Sequence, residues 1–169
     1  NTYFNLKIVQ TDCALIKEEN VLLKQYTFIN EGKIDLNVGF YIHSELLTSE
    51  NNHVGCKMFD NGMLQYAYNF SLSTFAKGYK VDKHQINGSK ETIKRGEIQD
   101  KDYIGMSNDS SMCFDLGIIK PNQKRVIEIC MLLGDNQNVS NMEDIADRIA
   151  RKDLNKECIE TRNYWRKYL

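Results

Sequence analysis

Apolar and polar residues alternate in several runs within the first 135 positions of the chain. In the clearest run, residues 34–43, every second residue from Ile34 to Ile42 is apolar. This period of two predicts a β-strand with one face on a core. Comparable runs predict further strands at residues 4–16, 21–29, 54–59, 63–70, 112–119 and 125–133.

The segments around these runs add detail to the expected sheets. Residues 30–33 carry the Asn and Gly that tight turns favour, so we expect residues 21–29 and 34–43 to form a hairpin. Residues 125–133 are apolar at nearly every position, which predicts an inner strand covered on both faces by packed layers. Residues 77–111 are polar and weakly patterned, and we expect long loops and short strands there.

The last part of the chain has a helical pattern. Ser140 and Glu143 have the spacing of a capping box, which marks a helix start. The apolar pattern slips near residues 152–154, where Asp153 or Asn155 could cap a second helix. Strands followed by terminal helices predict a mainly β fold: an antiparallel β-sandwich at residues 1–137 and a helical connector at residues 138–169.

Composition and charge exclude several kinds of partner. Hydrophobic residues make up 41% and charged residues 27% of the 169 positions, and the net charge is −1. We expect neither nucleic acid nor membrane as a partner, because no basic stripe exists and no apolar run approaches the roughly 20 residues that cross a bilayer.

The five cysteines, an odd number without a C-x-x-C pair, are interpreted as reduced and mostly buried. Reduced thiols favour the cytoplasm, but an extracellular location stays open because a signal peptide could precede Asn1.

Two groups of polar residues could carry chemistry. His43 lies near Glu45 and could be an oriented base, but a structural role is the preferred interpretation. Glu97, Asp100 and Asp102 could hold a cation or act as an acid and base pair, but a solvated cluster is preferred. We therefore assign no catalytic, cofactor-binding or metal-binding residue in this chain, and we expect no cofactor.

Aromatic residues allow a carbohydrate-binding alternative. Sugar-binding sandwiches use exposed rings as stacking platforms, and core-facing rings of a strand give the same sequence pattern. The candidates here are Tyr66, Tyr68, Phe75 and Tyr79. Trp165 is interpreted instead as part of an apolar helical face, shared with Tyr164 and Leu169, that a connector offers in part to a neighbouring domain.

Three stretches, in order, resemble the N-terminal β-sandwich domain of bacterial and archaeal family 15 glycoside hydrolases, the group of glucoamylase-like, glucodextranase and trehalase enzymes. The first stretch combines residues 6–12, 26–30 and 38–43. The second is Asp109 with residues 114–117 and Pro121, which is similar to the pattern D-x-x-x-x-W-D-L-G followed by P-G-E. The third is residues 161–169, which resemble a connector ending in T-x-x-Y-W-R-x-W. Phe114, Asn122 and Tyr168 depart from the family's usual Trp, Gly and Trp.

This resemblance implies a trimmed sandwich of the supersandwich type that packs against an (α/α)6 catalytic barrel. An inverting enzyme of this kind would carry its general acid and its base in that barrel, so neither catalytic residue would lie in this chain. The chain is therefore expected to be a non-catalytic accessory domain of an enzyme that acts on α-glucosidic linkages. Starch-type glucan, dextran and trehalose are the alternatives for its substrate. Two alternatives remain: a free-standing carbohydrate-binding sandwich, and the sandwich of a related glycoside phosphorylase.

Overall fold

The computed structural model describes residues 5–17, 20–47, 54–67, 70–135 and 141–168. Within these ranges the chain is mainly β, as the sequence predicts, with ten strands and three helices. The strands are β1 (Leu6–Ala14), β2 (Val21–Asn30), β3 (Leu36–Glu45), β4 (Gly55–Phe59), β5 (Gly62–Ala67), β6 (Phe70–Lys77), β7 (Lys83–Ile86), β8 (Ile104–Met106), β9 (Asp109–Ile119) and β10 (Lys124–Gly134). The helices are α1 (Lys90–Lys94), α2 (Met142–Ala150) and α3 (Leu154–Trp165).

The described strands form two antiparallel sheets. The larger sheet has seven strands in the order β1-β2-β10-β6-β5-β4-β8, and the smaller has three in the order β3-β9-β7. A buried cluster that draws on strands of both sheets fills the space between them, with Phe114 and Ile127 fully buried in it. The chain is therefore a β-sandwich, the fold class that the alternating pattern predicts.

The expected hairpin between residues 21–29 and 34–43 is wrong. β2 pairs with β1 and β10 in the large sheet, whereas β3 pairs with β9 in the small one. Between them the chain crosses from one sheet to the other at Asn30, whose fully buried side-chain amide donates to the carbonyls of Ile34 and Ile119, each at 2.8 Å. The turn residues are those of a tight turn, but local sequence does not specify which sheet the next strand joins.

Residues 63–70, predicted as one strand, belong to two. β5 ends at Ala67, and Phe70 begins β6, which lies between β5 and β10. No sequence pattern marks β6, because its apolar residues do not alternate regularly and its buried positions include Ser71, Ser73 and Thr74. Only a central place in a sheet, with both edges hydrogen-bonded to neighbours, makes such a polar strand stable.

The prediction that residues 125–133 form a strand covered on both faces is confirmed. β10 lies between β2 and β6; Ile127 and Ile129 enter the core between the sheets, whereas Cys130 and Leu132 enter a second core. The second core, which we call the helix-side core, unites Leu15, which follows β1, and residues of β2, β5, β6 and β10 with buried residues of α2 and the start of α3. These are Leu15, Val21, Leu23, Leu64, Phe75, Cys130, Leu132, Met142, Ala146, Ile149 and Leu154.

The two C-terminal helices follow the predicted division. Asp153 is the N-cap of α3, where its side chain accepts a hydrogen bond from the Lys156 amide at 3.1 Å. The capping box proposed for the first helix falls partly on Ser140, which lies outside the described residues. Glu143, its other member, forms an ion pair with Lys57 of β4 at 2.5 Å. Across the described ranges, none of the helices has both the length and the apolar character needed to span a membrane.

Candidate functional site

The paired ends of β3 and β9 bring four polar side chains to one surface. His43 lies opposite Ser111, and Glu45 lies opposite Asp109 in the antiparallel register. Cross-strand partners and residues two apart on one strand point to the same side of a sheet, so all four share one face. It is the outer face, because the alternate residue Ile42 packs on the core between the sheets. We call His43, Glu45 and Asp109 the strand-end cluster.

The distances within the strand-end cluster are short. The His43 Nε2 atom lies 3.3 Å from Oδ1 of Asp109, and the His43 Nδ1 atom lies 3.1 Å from Oγ of Ser111. One ligand atom from each of His43, Glu45 and Asp109 falls within 4.8 Å of the other two. The His43 side chain is 14% exposed and Ser111 is buried, whereas Glu45 is exposed and the Asp109 side chain is 39% exposed. The imidazole is thus held in place beside two carboxylates that solvent can reach.

A second histidine also pairs with a carboxylate. His84 of β7 is buried, and its Nδ1 atom lies 3.0 Å from Oδ1 of Asp100. The same carboxylate oxygen accepts the backbone N–H of His84 at 3.3 Å, and the imidazole packs on the Tyr103 ring with centroids 4.5 Å apart. These contacts fix the imidazole between a strand and the loop at residues 100–103.

The acidic cluster suggested by Glu97, Asp100 and Asp102 does not form a common site in the described part of the chain. Glu97 pairs with Arg95 at 3.0 Å, and Asp100 pairs with His84. Asp102 is exposed and has a φ of 60°, which Asp tolerates better than most residues in loops. The only group of three potential metal ligands within the described ranges is the strand-end cluster.

The aromatic candidates for a sugar platform do not form an exposed row among the described residues. Phe75 is fully buried in the helix-side core, and Tyr66 and Tyr79 are half-buried. Tyr79 also donates its hydroxyl to the Val126 carbonyl at 3.2 Å, which fixes its ring against β10. Tyr68 lies outside the described residues. The core-facing interpretation of these rings therefore agrees with the structure.

The end of α3 presents a group of exposed aromatic rings, which we call the C-terminal aromatic cluster. Tyr164, Trp165 and Tyr168 are 40%, 55% and 70% exposed, and their ring centroids lie 5.2 to 6.4 Å apart. The helix itself is anchored nearby, because Leu154 and Thr161 are buried. A partly exposed apolar face at Tyr164 and Trp165 is what the sequence pattern predicts; Leu169 lies outside the described residues.

All five cysteines are described, and all five are free thiols. Cys56, Cys113 and Cys130 are buried, whereas Cys13 and Cys158 are half-buried. Burial raises the pKa of the Cys130 thiol to about 12, because the buried environment disfavours the thiolate and the nearby Glu128 carboxylate adds repulsion. A thiol of this kind behaves as a small apolar side chain.

Local sequence indicates only part of the strand-end cluster. His43 and Glu45 are two residues apart and can be recognised together, whereas Asp109 stands out only within the D-x-x-x-x-W-D-L-G-like motif. Ser111 had no signal at all. These residues become neighbours only through the register of two strands that are distant in sequence, and no local pattern encodes that register.

Two packed antiparallel sheets with a helical layer on the larger one define this chain as a β-sandwich domain with C-terminal helices. No family model matches the chain, and no curated protein matches it. Among solved structures, a human-microbiome protein assigned as a kojibiose phosphorylase matches 98% of this chain, with a TM-score of 0.65 and 13% sequence identity. The chain spans only 22% of that protein. A match at this identity shows a shared fold, and it is not specific to family 15 glycoside hydrolases.

Proposed function

We propose that this chain is the non-catalytic β-sandwich domain of a carbohydrate-active enzyme of the glycoside phosphorylase or glycoside hydrolase type. The observation that carries the proposal is the fold match over 98% of the chain to 22% of a kojibiose phosphorylase. A segment of that size in a much longer enzyme fits an accessory domain. The order of the three family-like stretches in the sequence supports the same class.

The two enzyme types differ in the acceptor of the glycosyl group. Phosphorolysis transfers the sugar to phosphate and yields a sugar phosphate, whereas hydrolysis transfers it to water and yields a free sugar. The fold match favours the phosphorylase, and the motifs at residues 109–121 and 161–169 favour the hydrolase. In either type the catalytic groups would reside in a catalytic barrel, with this chain shaping the barrel's rim.

The C-terminal aromatic cluster is the surface that we propose for contact with that barrel. Large aromatic side chains each bury roughly 150–250 Å² and dominate interface energetics, and here three of them are exposed together. The position at the end of an anchored helix also suits a connector, because Leu154 and Thr161 are buried and fix α3 on the sandwich while the three rings stay exposed. The five free thiols support a reducing compartment such as the cytoplasm.

The docking proposal is tested with the polypeptide encoded downstream of Leu169, expressed separately and titrated with this chain by calorimetry. We expect binding that Trp165→Ala weakens by about tenfold or more, as removal of an aromatic hot spot does. Ile8→Ala is the matched control, because Ile8 is an equally exposed apolar residue at 55% on β1, in a different region of the fold. The proposal is contradicted if the downstream sequence does not encode a barrel domain, or if Trp165→Ala and Ile8→Ala weaken binding equally.

The absence of catalysis is tested with the 169-residue chain alone. The purified chain is incubated with kojibiose, maltose and trehalose, with and without phosphate, and free glucose and glucose phosphate are assayed. We expect neither product. Release that Asp100→Asn or Asp109→Asn abolishes would place an active site in this chain and overturn the accessory role.

A further inference from the structure

We propose that the strand-end cluster, His43, Glu45 and Asp109, binds a divalent transition-metal ion, for which Zn²⁺ is the appropriate probe. The proposal rests on the geometry of β3 and β9 and does not depend on the proposed function. It concerns the outer face of the small sheet, whereas the proposed docking surface lies at the end of α3.

The spacing of the potential ligand atoms suits a single ion. Zinc lies about 2.1 Å from nitrogen and oxygen ligands, so two ligands of a tetrahedral site are about 3.4 Å apart. His43 Nε2 and Asp109 Oδ1 are already 3.3 Å apart, and one ligand atom from each of His43, Glu45 and Asp109 lies within 4.8 Å of the other two. Glu45 is exposed and has a long side chain, so its carboxylate is free to approach the other two ligands by a change of rotamer.

The chemistry of the three side chains also matches this class of ion. One imidazole nitrogen and two carboxylate oxygens suit Zn²⁺ and Mn²⁺ better than Ca²⁺ or Mg²⁺, which prefer oxygen ligands alone. Three protein ligands leave a coordination position for water or for another ligand. The two carboxylates also compensate the charge of the ion, because no Lys or Arg is paired with Glu45 or Asp109 among the described ion pairs.

Ser111 gives His43 the support that metal-binding histidines usually have. The Ser111 hydroxyl is buried, and its oxygen lies 3.1 Å from Nδ1 of His43. When Nδ1–H donates to this oxygen, Nε2 is deprotonated and its lone pair faces the two carboxylates. The rigid strand thus holds the imidazole in the orientation that an ion requires.

The same distances also permit a metal-free arrangement in which the other ring nitrogen of His43 carries the proton. The two arrangements differ in the tautomer of His43, so identifying the protonated nitrogen tests the proposal. Without an ion, Nε2–H of His43 can donate to Asp109 while Nδ1 accepts the Ser111 hydroxyl proton. With an ion on Nε2, the proton must reside on Nδ1 and donate to Ser111. Starting from that metal-free arrangement, metal binding requires that the proton move from Nε2 to Nδ1.

The experiment titrates the metal-free 169-residue chain with Zn²⁺, by calorimetry and by nitrogen-15 NMR of the histidine rings. We expect one ion per chain, a rise in Tm, and a His43 ring whose Nε2 becomes the metal-bound, unprotonated nitrogen. Asp109→Asn and Glu45→Gln should each weaken binding by at least about tenfold, and Ser111→Ala by about 10- to 100-fold, since it removes the partner that orients the imidazole.

Asp100→Asn is the matched control, because Asp100 also pairs with a histidine, at 3.0 Å, but outside a group of three ligands. It should leave Zn²⁺ affinity unchanged. Far-UV circular dichroism of each variant shows that the fold is retained. The proposal is overturned if the chain takes up no Zn²⁺, if the His43 signals do not change on binding, or if Asp109→Asn binds Zn²⁺ as tightly as the original chain. The last two results are expected if the half-buried thiols of Cys13 and Cys158 are the ligands.

Discussion

The helix-side core makes a quantitative prediction about how the C-terminal helices contribute to stability. Leu154, the first residue of α3, is fully buried in that core together with Phe75 and Cys130 from the large sheet. Leu154→Ala removes three buried carbon atoms, which corresponds to about 2.4 kcal/mol of lost transfer free energy at about 0.8 kcal/mol per methylene. The cavity that remains raises the expected loss of unfolding free energy to about 3 to 4 kcal/mol.

The measurement is urea unfolding, followed by two probes at once. Far-UV circular dichroism reports the sandwich, and the fluorescence of Trp165, the only tryptophan of the chain, reports α3. The two transitions should coincide, because the helices and the sheet share one core, and the variant's midpoint should fall by about 1.5 to 2 M for an m-value near 2 kcal/mol/M. Ile159→Ala on the same helix is the control; its side chain is 57% exposed, so a change below about 0.5 kcal/mol is expected.

Two results would refute this reasoning. A loss below about 1 kcal/mol for Leu154→Ala would mean that the core collapses around the smaller side chain or does not enclose it. Separate transitions for the two probes would mean that α3 unfolds independently of the sandwich. In that case residues 138–169 would act as a detachable linker, and the helix-side core would not be part of the cooperative unit.

Three further predictions test the sheets and the buried groups. Gly62→Ala should destabilise the chain by about 3 kcal/mol or more, because the added methyl would lie 2.3 Å from the Thr74 carbonyl oxygen. Gly117→Ala should cost only about 1 to 2 kcal/mol, because its methyl would meet open space and only the φ of 69° is unfavourable. Equal urea midpoints for the two variants would contradict this prediction. Asn30→Ala should cost about 2 to 4 kcal/mol in thermal unfolding, because two carbonyls that its amide satisfies would lose their donor, and a neutral result would show that water replaces it. The pKa of the Cys130 thiol is raised from 9.0 to about 12, so its contribution to stability is complete below pH 9 and is lost as the pH rises toward 12. The free energy of unfolding should fall over this range with a slope approaching about 1.4 kcal/mol per pH unit. Cys130→Ala should remove this part of the slope in urea unfolding measured at several pH values, and identical slopes for both proteins would contradict the prediction.

The sequence by itself determined those features that depend on neighbouring residues. Alternation at residues 34–43 and the apolar run at 125–133 predicted β3 and a doubly covered β10, because side-chain direction along a strand has a period of two. The cap at Asp153 was also readable, because such a hydrogen bond spans only three residues.

The tertiary structure alone decided which strands are neighbours. The change of sheet at Asn30 and the central place of β6 depend on hydrogen bonds and packing between distant segments, so short-range patterns carry no signal for them. The strand-end cluster has the same origin. His43 and Asp109 become neighbours only because β3 and β9 pair in one particular register, and a slip of one residue would turn one of the two side chains to the opposite face of the sheet.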